Sequence, residues 1–525
     1  MKIRLAFASG TADLNRAMIE HLGNELPLYV VAEFEPHRGT WIPWHVLRSV
    51  AENRASILAA VAGHEIAASA MVFAEGTALG KMRVAALTIA PRRMSFYNLR
   101  AYLSGSLTSA VWKPVGRWAR RLANPMEMEI PLRARAAQFY GLLADRYRTA
   151  AHETSLSGTE PLAEGITVVV PSRDGLELLQ TMLPPLLPQL SPGEIVVVDN
   201  GSTDNTVEWL ARNHPGIRVA GSKEPLSFAR AVNAGIVQAR YRHTLLLNND
   251  MVVEPGFIGA LSDAFTRVPA LYCATAQIFF PPNARREETG KAVWRREDPL
   301  DFPVRCDEPY PGEDLTWVLY GSGGCSLFDT AKLREIGGVS EVYNPAYVED
   351  MDFGYRAWKR GWPSVFCAGA RVEHRHRATT SRFFTPRQID FFVERNYLRF
   401  LIHAVGSPEL FRKLWRESVR RLQLLAAKGN EAALDTLRDI PRIGPRPPGT
   451  TGLLTESEIL ALGNGDIAAF PGHSPRGLRT VLIASPYLPF PLSHGGAVRI
   501  FNLMKQAAGT HDLVLLAFCD TLATP

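Results

Sequence analysis

Short apolar runs alternate with amphipathic stretches through the middle of the chain. Four of these runs have the length and the Val, Ile and Leu content of buried strands, and the stretches between them repeat apolar residues at helical spacing. The predicted strands are 166–171, 194–199, 217–220 and 243–247. The predicted helices are 176–190, 206–213 and 228–239. Strands and helices that alternate at this spacing are typical of a parallel, doubly wound sheet, so we predict an α/β fold.

The N-terminal part of the chain shows the same alternation on a smaller scale. Its predicted elements are a strand at 2–9, helices at 15–22 and 46–62, a strand at 68–73 and a helix at 80–90. This order predicts a small α/β domain over residues 1–160, and its sequence does not indicate a role. Ser9, Gly10 and Thr11 follow the first strand and would suit either a phosphate or an ordinary turn, since the GxGxxG pattern is absent. Turn-forming residues at 154–165 indicate a linker.

The C-terminal part begins with helical periodicity. Helices are predicted between residues 391 and 428, where basic residues alternate with Leu, Phe and Trp. Such a face suits either a membrane surface or a helix that caps the preceding domain. Residues 401–450 are therefore predicted to be a helical tail and linker. The last segment, 478–525, is predicted to form a strand, a helix and a second strand.

The composition is that of a soluble globular protein. Hydrophobic residues make up 46% and charged residues 21% of the 525 residues, a length that predicts about three domains. The five cysteines are scattered without metal-ligand spacing, which indicates reduced thiols. No apolar run approaches the roughly 18 residues of a transmembrane helix, and the N-terminal run is too short for a signal peptide. We therefore predict a cytoplasmic protein.

The net charge of +6 is unevenly distributed. Between Gly76 and Met126 there are nine Lys or Arg residues and no Asp or Glu, and aromatic residues are interleaved with them. A surface of this kind suits anionic lipid headgroups, although a simple solvated face would look the same. The stretch thus favours peripheral contact with the inner face of the plasma membrane as one interpretation. No nucleic-acid-binding motif accompanies it, so nucleic acid is not a predicted partner.

Polar and acidic residues stand directly after two of the predicted strands. Asp199 closes the second strand, and Asn248, Asn249 and Asp250 follow the three leucines of the fourth. Ligands of open α/β sheets collect at the carboxyl ends of the strands, so these side chains form a candidate site. Taken alone, they would also suit ordinary surface turns.

Six motifs extend this candidate site along the chain. In order, between residues 167 and 362, they are TVVVPSRDG, EIVVVDNGSTDNT, FARAVNAGI, LLLNNDMVVEPGF, GSGGCSLF and VEDMDFGYRAWKRGW. Their order and spacing resemble the family 2 glycosyltransferases of GT-A fold, and in particular the rhamnosyltransferase-like members that build bacterial surface polysaccharides. The resemblance implies a GT-A catalytic domain over residues 161–400. It implies an inverting, metal-dependent enzyme that transfers a hexosyl or deoxyhexosyl group from a nucleoside diphosphate sugar to a hydroxyl of a cell-surface polysaccharide or lipid-linked glycan.

The resemblance assigns a divalent cation, Mg²⁺ or Mn²⁺, to Asp250 and His374. The acid after the fourth strand supplies a hard oxygen ligand, which suits a cation that neutralises a diphosphate leaving group. The fuller form of the family motif has two carboxylates, whereas here Asn248 and Asn249 precede a single acid. His374 aligns best with the metal-binding histidine of some family members, and His376 is the alternative. An imidazole ligand suits Mn²⁺ better than Mg²⁺.

The catalytic assignments also follow from the resemblance. By position, Asp350 is the general base that removes the proton of the acceptor hydroxyl, and Glu349 is its acceptor-facing neighbour. Two acids at the start of a helix would also suit the helix dipole alone. The residues implied to contact the donor are Pro171, Ser172, Arg173, Asp199, Arg230, Asn233, Asn248, Asn249, Gly323 and Gly324. The polar segment 281–320 would face the acceptor, either as a mobile lid or as a plain insertion.

Further interpretations concern the last segment and the class of function. The last segment resembles the opening βαβ of a family 4 glycosyltransferase of GT-B fold, and we predict that it is the truncated start of such a domain. A non-catalytic GT-A-like scaffold or glycan-binding module is the alternative that Asn248 and Asn249 motivate. A sugar-1-phosphate nucleotidyltransferase would need a glycine-rich basic loop, which residues 171–175 lack.

Overall fold

The computed structural model describes most of the chain. The described residues are 1–46, 48–72, 80–90, 94–97, 125–146 (side chains from 129), 155–158, 161–222, 224–281, 289–375, 383–444, 446–447, 452–472 and 475–519. Contacts divide the chain into two compact units, Met1–Met128 and Glu129–Pro525. The basic stretch 76–126 lies largely outside the described residues, so its membrane contact stays a prediction. The domain boundaries at residues 160, 400 and 450 also stay predictions.

The first unit is built around one parallel sheet. Its elements are β1 (Lys2–Phe7), α1 (Ala12–His21), β2 (Leu28–Ala32), β3 (Thr40–Pro43), α2 (Val50–Ala60), β4 (Glu65–Val72), α3 (Gly80–Ile89) and β5 (Met94–Tyr97). The strand order is β3-β2-β1-β4-β5, with every pair parallel. Strands β2, β3 and β5 were not predicted because they are only four or five residues long. Helix α2 begins later than predicted, since Ser49 caps it together with Glu52.

The second unit contains the central sheet. Helix α4 (Pro125–Arg146) begins at the end of the first unit and lies mostly in the second. The elements that follow, up to that sheet's last strand, are β6 (Ala163–Ser172), α5 (Leu176–Leu186), β7 (Gly193–Asn200), α6 (Thr206–Asn213), β8 (Arg218–Ser222), α7 (Phe228–Gln238), β9 (Tyr241–Leu247), β10 (Met251–Val253), α8 (Phe257–Arg267), β11 (Cys273–Phe279), β12 (Ala292–Val293), β13 (Arg305–Cys306), β14 (Cys325–Asp329), α9 (Thr330–Glu335), α10 (Glu349–Lys359) and β15 (Ser364–His374). Single 3₁₀ turns stand at Leu187–Gln189 and Glu341–Tyr343.

Eight strands form the central sheet in the order β10-β15-β11-β14-β9-β6-β7-β8. Strands β8, β7, β6 and β9 are parallel, β14 is antiparallel to β9 and β11, β15 runs parallel to β11, and β10 runs antiparallel to β15. The predicted α/β class with a mostly parallel sheet is therefore confirmed. The long apolar runs of β6 and β9 arise because both sheet faces are covered: Val168 packs in one buried cluster and Val169 in the opposite one.

Helices follow the central sheet and cover α10. They are α11 (Pro386–His403), α12 (Pro408–Ala427), α13 (Glu431–Asp439) and α14 (Glu456–Leu462). A 3₁₀ turn at Ile440–Arg442 directly follows α13. Phe400 and Trp415 share a buried cluster with Met351 and Tyr355 of α10. Of the two interpretations of this basic tail, capping the preceding domain therefore accounts for its buried face. Within the described residues, no helix is both long and apolar enough to cross a membrane.

The last described segment forms the predicted βαβ. Strand β16 (Thr480–Ser485), helix α15 (Gly495–Ala507) and strand β17 (Asp512–Ala517) make a two-stranded parallel sheet. One sheet face is open, since Leu482, Val514 and Leu516 are more than half exposed. The resemblance of this segment to a GT-B domain stays a prediction.

Candidate active site

The carboxyl ends of β6, β7 and β9 bring three predicted residues together. Ser172 of β6 is in register with Asp199 of β7, and its Oγ accepts a hydrogen bond of 2.9 Å from Nδ2 of Asn249. Asp250 follows directly and is buried, as is Asp199. The strand ends therefore form one buried polar cluster. Within it, the hydrogen bond from Asn249 joins the end of β9 to the end of β6. Pro171, one residue before Ser172, is half-buried at the same edge.

Three carboxylate oxygens of this region are buried without a hydrogen-bond partner among the described residues. They are Oδ1 of Asp199, Oδ1 of Asp250 and Oε2 of Glu349. An unsatisfied buried acceptor typically costs about 1–3 kcal/mol, and more when it is charged, so three in one region call for a physical explanation. A ligand that supplies donors or positive charge would satisfy them.

His374 lies beside Asp250 because β10 and β15 pair. Met251 faces His374 in the antiparallel register, and the N–H of Arg375 donates to the carbonyl oxygen of Asp250 over 3.0 Å. The Nε2 atom of His374 is 3.5 Å from Oδ2 of Asp250. The backbone pairing of β10 with β15 thus places the Asp250 carboxylate next to the His374 imidazole. The alternative ligand, His376, lies outside the described residues.

A carboxylate and an imidazole fit a divalent cation chemically but do not complete its coordination. Within the described ranges, no group of three or more His, Cys, Asp or Glu side chains is arranged to hold a metal ion. Mg²⁺ and Mn²⁺ usually take six ligands, several of them from water or from substrate phosphates. The buried Oδ1 of Asp250, which lacks a partner, is the observation that fits a cation here.

The loop before β14 connects this group to the acid pair of α10. The N–H of Asn248 donates to the carbonyl oxygen of Gly324 over 2.8 Å. A Cβ atom at Gly324 would stand 2.4 Å from Nδ2 of Asn248, so only glycine fits there without displacing that side chain. A Cβ atom at Gly323 would stand 3.6 Å from Cβ of Asp350. Gly323 and Gly324 therefore make a short bridge between Asn248 and Asp350.

The acid pair opens α10 from a strained backbone. Tyr347 and Val348 have φ angles of 77° and 76°, which non-glycine residues rarely adopt, and such strain clusters at functional sites. Burial, with the adjacent Asp350 charge, raises the pKa of Glu349 to about 8. Asp350 is less buried than Glu349, and its Oδ1 accepts from the N–H of Met351 over 2.9 Å.

Asn396 of α11 holds the strained segment in place and was not predicted. Its Nδ2 donates to the carbonyl oxygens of Tyr343, Ala346 and Tyr347, at 2.5, 2.9 and 3.1 Å. Arg395 adds a donor to the carbonyl oxygen of Asn344. The signal in the sequence is a polar residue among the apolar positions of a helix, which does not reveal its partners.

Arg173 and Asp174 extend the group at the end of β6. The guanidinium carbon of Arg173 lies 4.4 Å from the ring centroid of Phe383, a cation–π contact that the sequence did not predict. Asp174 has a φ of 47° and accepts from the N–H of Thr203 over 2.6 Å. This hydrogen bond and the Oγ1 of Thr203 lower the pKa of Asp174. The charged ends of β6 and β7 are thereby tied together.

Arg230 and Asn233 have other partners. The amide of Asn233 makes two hydrogen bonds to the backbone of Val339, of 2.8 and 2.9 Å. Arg230 is exposed and stands 3.7 Å from a carboxylate oxygen of Glu341. Both side chains therefore stabilise the turn after α9, and their assignment to the donor stays a prediction.

The segment 281–320 is folded where the structure describes it. Beyond residues 282–288, which are not described, β12 and β13 pair, and Nζ of Lys291 lies 2.8 Å from Oε1 of Glu313. Both side chains are fully buried, and the N–H of Tyr310 donates to the same carboxylate. The described part of this segment is therefore folded around a buried ion pair, and its contact with the acceptor, as a lid or as a plain insertion, stays a prediction.

Comparison with known proteins gives the family. The model of "Glycosyltransferase like family 2" matches residues 163–389. The N-acetylglucosaminyl-diphospho-decaprenol L-rhamnosyltransferase of Mycobacterium tuberculosis is 30% identical over 217 residues, which cover 36% of this chain and 69% of that protein. The O-antigen biosynthesis protein RfbC of Myxococcus xanthus is 23% identical over 261 residues, covering 46% of this chain and 20% of that protein.

Among solved structures, the chain is similar to S. aureus TarS 1–349 in complex with UDP-GlcNAc, with a TM-score of 0.38 and 15% identity. The match covers 54% of this chain and 82% of the TarS chain. It extends also to the mannosyltransferase PcManGT of Pyrobaculum calidifontis, with a TM-score of 0.35, 16% identity and coverage of 61% and 88%. These scores are too low to carry a functional argument. The family match and the rhamnosyltransferase relative do carry one: the chain belongs to glycosyltransferase family 2 and is a glycosyltransferase.

Proposed function

We propose that this glycosyltransferase is an inverting, metal-dependent enzyme that uses a nucleoside diphosphate sugar as donor. The observation that carries the proposal is the closeness of two groups of residues. His374 lies beside Asp250, whose Oδ1 is unpartnered, and the loop at Gly323 and Gly324 lies between Asn248 and Asp350. A cation-binding acid and a candidate base thus flank one short glycine bridge. Donor activation and acceptor activation require this proximity.

The donor would be held at the strand ends. We infer that Asp199 contacts the base or ribose, because its buried Oδ1 lacks a donor and the edge at Pro171, Ser172 and Arg173 lies beside it. Asp250 and His374 would hold Mg²⁺ or Mn²⁺ together with donor oxygens. When bound, the cation neutralises the charge that develops on the diphosphate leaving group.

The acceptor would be activated by Asp350. A carboxylate accepts the proton of the attacking hydroxyl, and a single displacement at the anomeric carbon inverts its configuration. Glu349 is a poor base at neutral pH, because its raised pKa of about 8 keeps most of it protonated. We infer that its neutral carboxyl donates a hydrogen bond to the acceptor and orients the hydroxyl.

For the substrates, we propose transfer of a hexosyl or deoxyhexosyl group to a polysaccharide or lipid-linked glycan. The support is the name of the M. tuberculosis relative, an L-rhamnosyltransferase that acts on a diphospho-decaprenol-linked sugar. An enzyme with such an acceptor would work at the cytoplasmic membrane surface. This placement is a proposal, as is the predicted cytoplasmic location.

The test is a turnover screen over UDP-, GDP- and dTDP-sugars with Mn²⁺, Mg²⁺ or EDTA. We expect one donor class to be turned over, and EDTA or Asp250→Asn to reduce the rate by about 100-fold or more. Asp263→Asn is the matched control, since Asp263 is an exposed acid that pairs with Arg267. Equal rates for Asp250→Asn and Asp263→Asn, or full activity in EDTA, would contradict metal dependence.

A further inference from the structure

A groove runs between α4 and α12, and none of the residues assigned to sugar transfer lines it. Its floor contains Ala134, Gly141 and Trp415, and its volume is about 600 Å³. The Nε1 of Trp415 donates to the carbonyl oxygen of Ala137 over 3.0 Å. A Cβ atom at Gly141 would stand 2.3 Å from the indole of Trp415, so glycine permits the close approach of the helices. The groove is therefore fixed by direct packing.

One side of α4 exposes large apolar side chains beside this groove. Leu132, Phe139 and Leu142 have exposed fractions of 56%, 61% and 60%. Their spacing of seven and three residues places them on a single helix face. Exposed singly, such residues are common, but a row of them beside an apolar groove marks an interaction surface.

Arginines surround the same surface. Arg135, Arg416 and Arg420 line the groove and are exposed, and none has an ion pair within the described part of the chain. No Asp or Glu side chain lines the groove. On α12, Glu417 stands beside Arg416 with a partly exposed carboxylate, but it pairs with Arg296 over 3.1 Å, and Glu409 lies in the first turn of the helix. The surface is therefore basic as well as apolar.

Two other arginines of α12 have carboxylate partners, and one of them, Arg412, also lines the groove. Arg421 is buried and pairs with Glu394, and Arg412 pairs with Asp145 over 2.6 Å. Arg412 and Arg421 are thus neutralised by carboxylates, whereas Arg416 and Arg420 have no carboxylate partner within the described residues. An unpaired basic rim around apolar side chains calls for a partner that is both anionic and apolar.

We propose that the α4–α12 surface binds an anionic phospholipid bilayer. The apolar side chains would enter the boundary between headgroups and acyl chains, and the arginine stems would lie along it with their guanidinium groups on lipid phosphates. A second copy of this chain is a poorer partner, because a two-fold contact would bring the arginines of both copies together. Nucleic acid would match the charge but would leave Leu132 and Phe139 uncovered.

This inference deepens the proposed placement at the membrane surface and rests in part on that proposed function, because it names the surface that would contact the bilayer. A lipid-linked acceptor would explain why the enzyme needs a membrane-binding surface. Membrane binding is measured without donor or acceptor, so a failure of vesicle binding would leave the proposed sugar transfer standing, and a failure of sugar transfer would leave membrane binding standing.

The test is co-sedimentation of the full chain with phosphatidylcholine vesicles that contain or lack phosphatidylglycerol. We expect binding that depends on phosphatidylglycerol and weakens with added salt. Arg416→Glu with Arg420→Glu, and separately Phe139→Ser with Leu142→Ser, should each weaken binding by about tenfold or more. Donor turnover and the unfolding temperature of these variants serve to show that they fold.

The controls make the same chemical changes elsewhere. Arg54→Glu with Arg212→Glu reverses two exposed arginines, and Val207→Ser with Val237→Ser replaces two partly exposed valines. The proposal requires both control pairs to bind as the unchanged protein does. It is overturned if the groove variants bind like their controls, or if they abolish self-association while vesicle binding is unchanged.

Discussion

Glu349 is the residue whose ionisation most directly links the site to stability. Its pKa is about 8 in the folded chain against 4.5 in the unfolded chain, so the folded state favours the protonated form. The stability that this carboxyl contributes is fully present below pH 4.5 and is lost as the pH rises through about 8. Each pKa unit corresponds to roughly 1.4 kcal/mol, so the effect reaches a few kcal/mol.

The Glu349→Gln variant should therefore remove this dependence. Between pH 5 and pH 9, its free energy of unfolding should fall by less than that of the unchanged protein, and at pH 9 the variant should be the more stable of the two. Urea unfolding at both pH values measures this. Parallel pH profiles for the two proteins would mean that Glu349 is not held protonated.

Gly324 and Asn248 should act as one unit in donor binding. Alanine at Gly324 would displace the Asn248 side chain, whose Nδ2 would lie 2.4 Å from the new Cβ. We expect Gly324→Ala and Asn248→Ala each to weaken donor binding about tenfold, and the double variant to lose no more than either. Calorimetric titration of the donor measures all three. Additive losses would show that the two positions act independently.

At the scale of elements, the buried strands were predictable because both of their faces are apolar. The apolar runs of β6, β7 and β9 stand out for this reason. Their carboxyl ends predicted the edge where Ser172, Asp199 and Asn249 lie together. The pairing of β10 with β15 was not predictable, because it joins residues more than a hundred positions apart. Only the family resemblance predicted that His374 and Asp250 lie at one cation site.

The support of α10 from α11 was likewise not predictable. Asn396 looks like one polar position in an amphipathic helix, yet it carries three hydrogen bonds to the segment before Glu349. The non-glycine φ angles of Tyr347 and Val348 are equally invisible in the sequence. Local propensity argues against these conformations, and tertiary contacts impose them.

Asn396→Ala tests this support. It removes one hydrogen-bond donor from each of three carbonyl oxygens, so the free energy of unfolding should fall by roughly 2–4 kcal/mol. Transfer activity should fall more than donor binding, because α10 carries the acid pair. The matched control is Asn213→Ala, whose amide donates to the carbonyl of Trp209 at an exposed helix end. Chemical unfolding and kinetics serve for both, and equal effects at the two positions would contradict the proposed role.

At the scale of the whole molecule, the C-terminal βαβ makes its hydrogen bonds and ion pairs within itself. Among the described residues, hydrogen bonds and ion pairs of 476–519 join partners within that segment, such as Arg476 with Asp512. By contrast, the N–H of Ala469 donates to Oγ1 of Thr316, and Asp466 pairs with Arg295. The hydrogen bonds and ion pairs that join the end of the chain to the predicted catalytic domain, 161–400, are therefore made by residues before 473.

A chain that stops at residue 472 should therefore keep the fold and activity of the predicted catalytic domain, 161–400. We expect its unfolding temperature and donor turnover to match those of the longer chain, and its tendency to self-associate to fall, because the open apolar face of β16 and β17 is removed. Calorimetry and light scattering on both chains test this. A large drop in unfolding temperature would show that the segment supports the central sheet.

We propose that two parts of one site have separate roles: Asp250 and His374 hold the donor's cation, and Asp350 activates the acceptor. The most direct test compares Asp350→Asn with the unchanged protein in donor titration and in single-turnover transfer. We predict donor affinity within about threefold and a transfer rate reduced by about 10²–10⁴-fold. A variant that transfers sugar at the unchanged rate, or that no longer binds the donor, would contradict this division of roles.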